Sequence, residues 1–236
     1  YDFDEQYGFR HTGFTASNSV IDYTFRRAPG FMDVALYSGT APSVQTVTHN
    51  LGVTPELILV RRLTGVGFLV YSADYGASGY GVLADTYAFD TGYWGSGSGM
   101  WNNTAPTSSV FTVGPNNATN ISGADYVAYL FATLPGISKV GSYSGTGNDI
   151  NVDCGFDAGA RFVLIKRTDS TGGWYFWDTA RGIVSGDDPW FLFNDTQAEI
   201  TYNDFIDPYT SGFTVTSGAP ATLNTSGGTY MFLAIA

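Results

Sequence analysis

The sequence is poor in cysteine, histidine and basic residues, and each scarcity excludes a class of protein. Cys154 is the only cysteine, so no disulfide can form within the chain. With only two histidines beside it, a metal site of Cys and His ligands is not expected. Lys and Arg number 10 against 21 Asp and Glu, which gives a net charge of -11. Nucleic acid is excluded as a partner, because phosphates require clustered Lys and Arg.

Long apolar runs are also missing from the sequence. No stretch approaches the roughly 20 residues that cross a bilayer, so membrane insertion is not expected. Residues 1–5 are polar and acidic, unlike a signal peptide. Because the chain does not begin with Met, we expect more protein upstream of residue 1.

Glycine and aromatic residues are abundant, and strong helix formers are scarce. The chain contains 30 Gly, and aromatic residues make up 16% of it. This composition is typical of short strands joined by tight turns. Residues 125–132 alternate with a period of two and are apolar on both faces, which predicts a central strand covered on both sides. The sequence therefore predicts an all-β fold.

An internal repeat is the most informative feature of the sequence. The motif Tyr-Ser-Gly-Thr at 37–40 recurs at 143–146. Four further landmarks recur in the same order, namely 57–62 as 162–167, 70–76 as 176–182, 111–113 as 213–215, and 122–132 as 226–236. Between them, residues 76–107 and 183–210 share little sequence. A constant framework with divergent loops is typical of a scaffold that varies its contacts.

The repeat predicts the domain organisation. We expect two tandem antiparallel β-sandwich domains, of jelly-roll type, at 31–135 (copy one) and 136–236 (copy two). Residues 13–15 resemble residues 212–214, so residues 1–30 are interpreted as the end of a preceding domain or repeat.

The polar residues do not predict an enzyme. His49 lies in a turn, no Gly-x-Ser-x-Gly elbow surrounds a serine, and His11 has no partner by sequence. The best carboxylate group is in copy two, and a solvated acidic loop is its favoured interpretation. Calcium binding and glycan cleavage are weaker alternatives for the same residues. No other cofactor is expected. The four carboxylates are Asp187, Asp188, Asp204 and Asp207.

Aromatic side chains are the favoured candidates for ligand contact, because their ring faces suit the C–H surfaces of sugars. Trp94, Trp101 and Trp190 lie in the divergent regions and are candidates for exposed contacts. Trp174 and Trp177 occupy opposite faces of one predicted strand, so one of them belongs to the core and the other is a candidate for exposure. For any single tryptophan, packing in the core is the favoured interpretation. Cys154 is interpreted as a small buried apolar residue.

Several stretches together resemble a known module. They are the two Tyr-Ser-Gly-Thr motifs, residues 49–55, residues 101–113, the closing strand at 126–132, and residues 163–174. They are similar to a repeat module of virion structural and tail-fibre-like proteins of tailed bacteriophages, especially marine and environmental phages. The resemblance covers nearly the whole chain from about Val20, and copy two lacks the Trp-Asn-Asn-Thr-Ala-Pro segment. It implies a location in the virion and carries no catalytic residue.

The resemblance implies a virion surface component, and we expect a tail fibre or adhesin module that attaches to host-surface glycans. Fibre proteins of this class are symmetric oligomers, commonly trimers, so a homo-oligomer that contacts other virion proteins is expected. One alternative is a capsid or tail decoration protein that contacts only virion proteins. A glycan-degrading enzyme is the second alternative.

Overall fold

The computed structural model describes residues 24–65, 67–90 and 97–236. It is 40% strand and 5% helix, with antiparallel sheets, so the predicted all-β sandwich fold is confirmed. The expected third copy falls mostly on residues 1–23, outside the described residues. None of the helices in the described ranges is long and apolar enough to cross a membrane.

Copy one contains seven strands in its described part, in two sheets. The larger sheet has the order β1-β7-β3-β4-β5, and β2 pairs with β6 in the smaller one. The strands are β1 (Met32–Ser38), β2 (Gln45–Thr48), β3 (Leu57–Arg62), β4 (Leu69–Ser72), β5 (Gly81–Val82), β6 (Val110–Val113) and β7 (Asp125–Phe131). Two short helices, α1 (Gly97–Trp101) and α2 (Asn117–Asn120), flank β6.

Copy two repeats this topology. Its larger sheet has the order β8-β15-β10-β11-β12, and its smaller sheet has the order β9-β14-β13. The strands are β8 (Ser138–Ser144), β9 (Ile150–Asp153), β10 (Phe162–Arg167), β11 (Trp174–Asp178), β12 (Phe191–Leu192), β13 (Ile206–Tyr209), β14 (Gly212–Val215) and β15 (Thr229–Ile235). The one-turn helix α3 (Ala221–Asn224) stands where α2 stands in copy one.

The Tyr-Ser-Gly-Thr motif recurs because it anchors the one-turn helix in each copy. In copy one, the ring of Tyr37 stacks on Tyr126 at 5.0 Å, and its hydroxyl donates to the Thr119 carbonyl at 2.7 Å. Gly39 lies against the backbone, since a Cβ there would be 2.1 Å from the Ile121 oxygen. The motif in copy two makes the same contacts, with a ring separation of 4.9 Å between Tyr143 and Tyr230.

A buried asparagine completes each anchor. The side-chain oxygen of Asn120 accepts a hydrogen bond from the Thr40 amide at 2.7 Å. The oxygen of Asn224 accepts one from the Thr146 amide at 3.0 Å. Both side-chain amides also donate to backbone carbonyls. The last residue of the motif is thereby tied to the helix, because a buried backbone amide needs a partner.

Three apolar cores lie between four layers of sheet. One core fills the space between the two sheets of copy one, and a second does so in copy two. The third core lies between the two large sheets and joins the copies. As predicted, β7 is covered on both faces, with Leu130 in the core of copy one and Phe131 in the shared core. The shared core contains Phe31, Met32, Leu57, Val70, Leu83, Phe89, Phe131, Val140, Phe162, Leu164, Trp174, Phe176, Met231 and Leu233.

The divergent regions contain a repeated loop, contrary to the expectation that they share little. In the first loop (80–90), the backbones of Tyr80 and Asp90 bond to each other, and in the second loop (190–200) those of Trp190 and Ile200 do the same. Both loops contain Asp-Thr-x-Ala, at 85–88 and 195–198. In each, the aspartate oxygen accepts a hydrogen bond from a backbone amide of the turn. This match is hard to find in the sequence, because only three residues, the Asp, the Thr and the Ala, are shared.

The first loop closes over the large sheet of copy two. The Phe89 amide donates to the Thr168 carbonyl at 3.0 Å, and the Phe89 ring lies 6.2 Å from that of Trp174. The Thr86 carbonyl accepts a hydrogen bond from Lys166 Nζ at 3.1 Å. Lys166 and Trp174 are fully buried as a result.

We expect the shared core to make the two copies unfold together. Phe89→Ala removes a buried ring from the contact between the copies and should lower the free energy of unfolding by about 3 kcal/mol. Urea titration followed by circular dichroism measures this loss and should show a single transition. Tyr202→Ala is the control, because this tyrosine is exposed, and its effect should be within about 0.5 kcal/mol. Two separate transitions, with only one shifted, would contradict a shared core.

Candidate functional site

Two of the candidate tryptophans from the divergent regions are buried, so their predicted exposure is wrong. Trp101 packs edge-on against Tyr71 at 5.9 Å, and its indole N–H donates to the Gly79 carbonyl at 3.0 Å. Trp190 belongs to the core of copy two, where it pairs with Ile200 at the base of the second loop. Trp94, the third of these candidates, lies outside the described residues.

Both tryptophans of β11 are fully buried as well. Trp177 lies in the core of copy two, which agrees with the expectation that one of the two tryptophans belongs to the core. Trp174 lies in the shared core, and its indole N–H donates to the Val82 carbonyl at 2.9 Å. The expectation that one of the two is exposed is wrong, because copy one covers the second face of the strand. None of the four described candidate tryptophans presents a ring to a ligand.

His49 and Cys154 have the structural roles expected for them. The Nδ1 atom of His49 accepts a hydrogen bond from the Leu51 amide at 3.3 Å, and its Nε2 atom lies 3.2 Å from the Thr107 carbonyl. Cys154 is buried, and this burial raises the pKa of its thiol to about 12. A thiol with such a pKa is a poor nucleophile at neutral pH.

The four carboxylates of copy two lie in one corner of the fold. Burial, with a smaller contribution from the negative charges of Asp207, Asp204 and Asp187, raises the pKa of Asp188 to about 7. The Asp207 carboxylate also accepts a hydrogen bond from the Gly186 amide at 3.3 Å. These three charges therefore lie close enough to Asp188 to disfavour its ionisation.

Asp188 differs from the other three because it is 0% exposed. Its Oδ1 atom accepts a hydrogen bond from the Val184 amide at 2.7 Å, whereas Oδ2 has no partner among the described residues. No group of three or more His, Cys, Asp or Glu side chains in the described ranges could hold a metal ion. A substrate cannot reach Asp188 in this conformation, because its side chain is fully buried.

A polar groove runs along the seam between the two copies and is the better candidate site. It has a volume of about 560 Å³. Copy one contributes Asp74 and Tyr75, and copy two contributes Ser142, Asp169 and Thr229. The ring of Tyr75 is held in place, because its hydroxyl donates to the Phe89 carbonyl at 3.0 Å. We call this site the seam groove.

The charge of the seam groove is negative on one side and balanced on the other. Asp74 is exposed at its rim. The carboxylate of Asp169 bonds to Arg167 Nε at 2.8 Å, and this bond holds the pKa of Asp169 below its usual value. Sequence reasoning missed these residues, since the groove exists only where the first loop meets the sheet of copy two. No local motif marks such a seam.

Comparison with known proteins assigns the chain to a family. The model of a domain of unknown function, DUF7483, matches residues 12–236. The chain belongs to the DUF7483 family. No curated protein and no solved structure matches it. The family match spans both copies.

We expect Asp188→Asn to change how stability depends on pH. Asp188 keeps its proton in the folded protein up to about pH 7, whereas the unfolded chain loses it near 3.8. The unfolded state is therefore favoured increasingly as pH rises through this window. Asn keeps the acceptor for Val184 and cannot ionise. The free energy of unfolding of the variant should exceed that of the parent by on the order of 1–3 kcal/mol at pH 8, and the difference should be small at low pH.

Urea midpoints measured between pH 5 and pH 8 test this expectation. The control is Asp187→Asn, which removes an exposed carboxylate from the same corner. For this control, the plot of urea midpoint against pH should stay parallel to that of the parent protein. If the curve of Asp188→Asn also stays parallel, Asp188 does not titrate as its burial requires.

Proposed function

We propose that this protein is a structural module of a virion surface protein, a tail fibre or related adhesin, which attaches to host-surface glycans through the seam groove. The groove is the observation that supports glycan binding. The resemblance of the repeat to tail-fibre-like modules supports the location. Oligomerisation with other chains of the fibre would add avidity to a weak single contact.

The groove offers the groups that sugars require. The carboxylates of Asp74 and Asp169 can accept hydrogen bonds from sugar hydroxyls, and the hydroxyl of Ser142 can donate or accept one. The half-exposed ring of Tyr75 offers an apolar face to sugar C–H groups. Because the exposed rim carries negative charge, neutral glycans are favoured over sialylated or sulfated ones.

The location can be tested by immunogold electron microscopy. Antibodies raised against the purified protein should label the fibres or surface of particles whose genome encodes it. Labelled particles that fail to bind host cells through this protein would favour the decoration role instead. Absence of the protein from purified particles would refute the proposed location.

Glycan binding can be tested with one substitution. Asp74→Asn removes a charged acceptor from the groove and should weaken binding to neutral host glycans by about tenfold, the loss of one charge-assisted hydrogen bond. Glycan arrays followed by calorimetry on the best ligand measure this change. Asp157→Asn, at an exposed aspartate outside the groove, should bind as the parent does. Equal binding by both variants would exclude the groove as the site.

A further inference from the structure

The two large sheets carry the same cross-strand row of four residues, and the cation of the row is covered only in copy two. In copy two the row runs across four strands as Ser142, Met231, Lys166 and Trp174. In copy one the equivalent row is Leu36, Val127, Arg61 and Phe68. We call this second row the open row.

The cation at the centre of each row sits over the neighbouring aromatic ring. Lys166 Nζ lies 5.6 Å from the ring centre of Trp174, and the Arg61 guanidinium lies 5.3 Å from that of Phe68. Lys166 is 0% exposed beneath the first loop, whereas Arg61 is exposed. The same arrangement is therefore buried in one copy and open in the other.

Two exposed leucines, one in the open row and one beside it, stand where copy two has polar residues. Leu36 is 73% exposed, and Leu63, at the next position of the same face beyond Arg61, is 58% exposed. Their equivalents in copy two are Ser142 and Thr168. Two exposed leucines on one sheet face, next to an established apolar interface, are typical of a surface that another protein covers.

The second loop matches the first loop, but its tip is exposed in the described part of the chain. Residues 195–199 are all exposed, and Phe193 is partly exposed. The first loop presents the Thr86 carbonyl and the charge of Asp85 to Lys166. The second loop carries Thr196 and Asp195 at the same positions, and Glu199 in place of Phe89.

We propose that the second loop of one chain docks on the open row of another chain, repeating between chains the contact that the first loop makes within the chain. The interface within the chain supplies the geometry for this contact. The charges also fit, because Asp195 and Glu199 of the second loop would face Arg61. The occupant is thus a second copy of this chain.

Such a contact is heterologous, since it joins two different surfaces. Each chain has one second loop and one open row, so association continues into a ring or an open filament rather than stopping at a two-fold dimer. This self-association follows from the repeat whether or not the protein is part of a virion. A fibre built of these modules could use it to extend along its axis.

Sedimentation velocity of the full chain over a range of concentrations tests this contact. The wild type should grow beyond a dimer with increasing concentration, and added salt should weaken this growth. Arg61→Glu and Glu199→Arg should each weaken association by about tenfold or more. The double variant R61E/E199R restores opposite charges and should associate again. An equimolar mixture of the two single variants should also associate.

Controls separate this contact from misfolding and from other interfaces. Glu199 lies 3.5 Å from Arg181, so the thermal midpoint of each variant is measured alongside. Asp157→Arg reverses an exposed charge elsewhere and should leave association unchanged. A wild type that stays monomeric throughout would overturn the proposal. So would normal association of the Glu199→Arg variant, which is expected if two open rows pair with each other, or a double variant that fails to recover.

Discussion

Both faces of each large sheet are apolar, and this single constraint determines the arrangement of the molecule. A sheet of this kind must be covered on both sides, and burial of its side chains contributes roughly 25 cal/mol for each Å² removed from water. The smaller sheet of each copy covers one face. The other face has no partner within its own copy, so the two large sheets cover each other and produce four layers from two sandwiches.

The two sheets do not cover each other equally. Copy two contributes the centre of its face, including Leu164 and Leu233, whereas copy one contributes mainly the end near Phe31 and Leu57. The first loop covers the rest of the face in copy two. This offset has two consequences: it forms the seam groove at one boundary, and it leaves the open row exposed on copy one. The candidate binding site and the proposed self-association therefore have the same structural origin.

Much of the fold could be predicted from the sequence, because its rules are local. Alternation along 125–132 indicates a strand covered on both faces, and the recurrence of Tyr-Ser-Gly-Thr indicates two equal frameworks. The surface that covers the second face of each large sheet is not determined by local sequence. By sequence Trp174 is a candidate for exposure, because only its contact with copy one buries it. The identity of the covering surface depends on contacts between residues about 80 positions apart, as between Lys166 and Thr86.

The candidate site was less predictable than the fold. The sequence predicts a solvated acidic loop for Asp187, Asp188, Asp204 and Asp207, yet Asp188 is fully buried in the fold. The residues of the seam groove are ordinary surface residues in each copy, and they become a site only where the copies meet. The first and second loops are more alike in structure than in sequence, because a shared aspartate and paired backbones at the base are enough to give both the same turn.

The burial of the tryptophans gives the molecule a set of internal optical probes. Trp101 lies in the core of copy one, Trp174 in the shared core, and Trp177 and Trp190 in the core of copy two. Indole emission depends on the polarity around the ring, so each described tryptophan senses water entering a particular layer. A set of single-tryptophan proteins would therefore report in what order the layers open, and whether the seam between the copies loosens before either sandwich does.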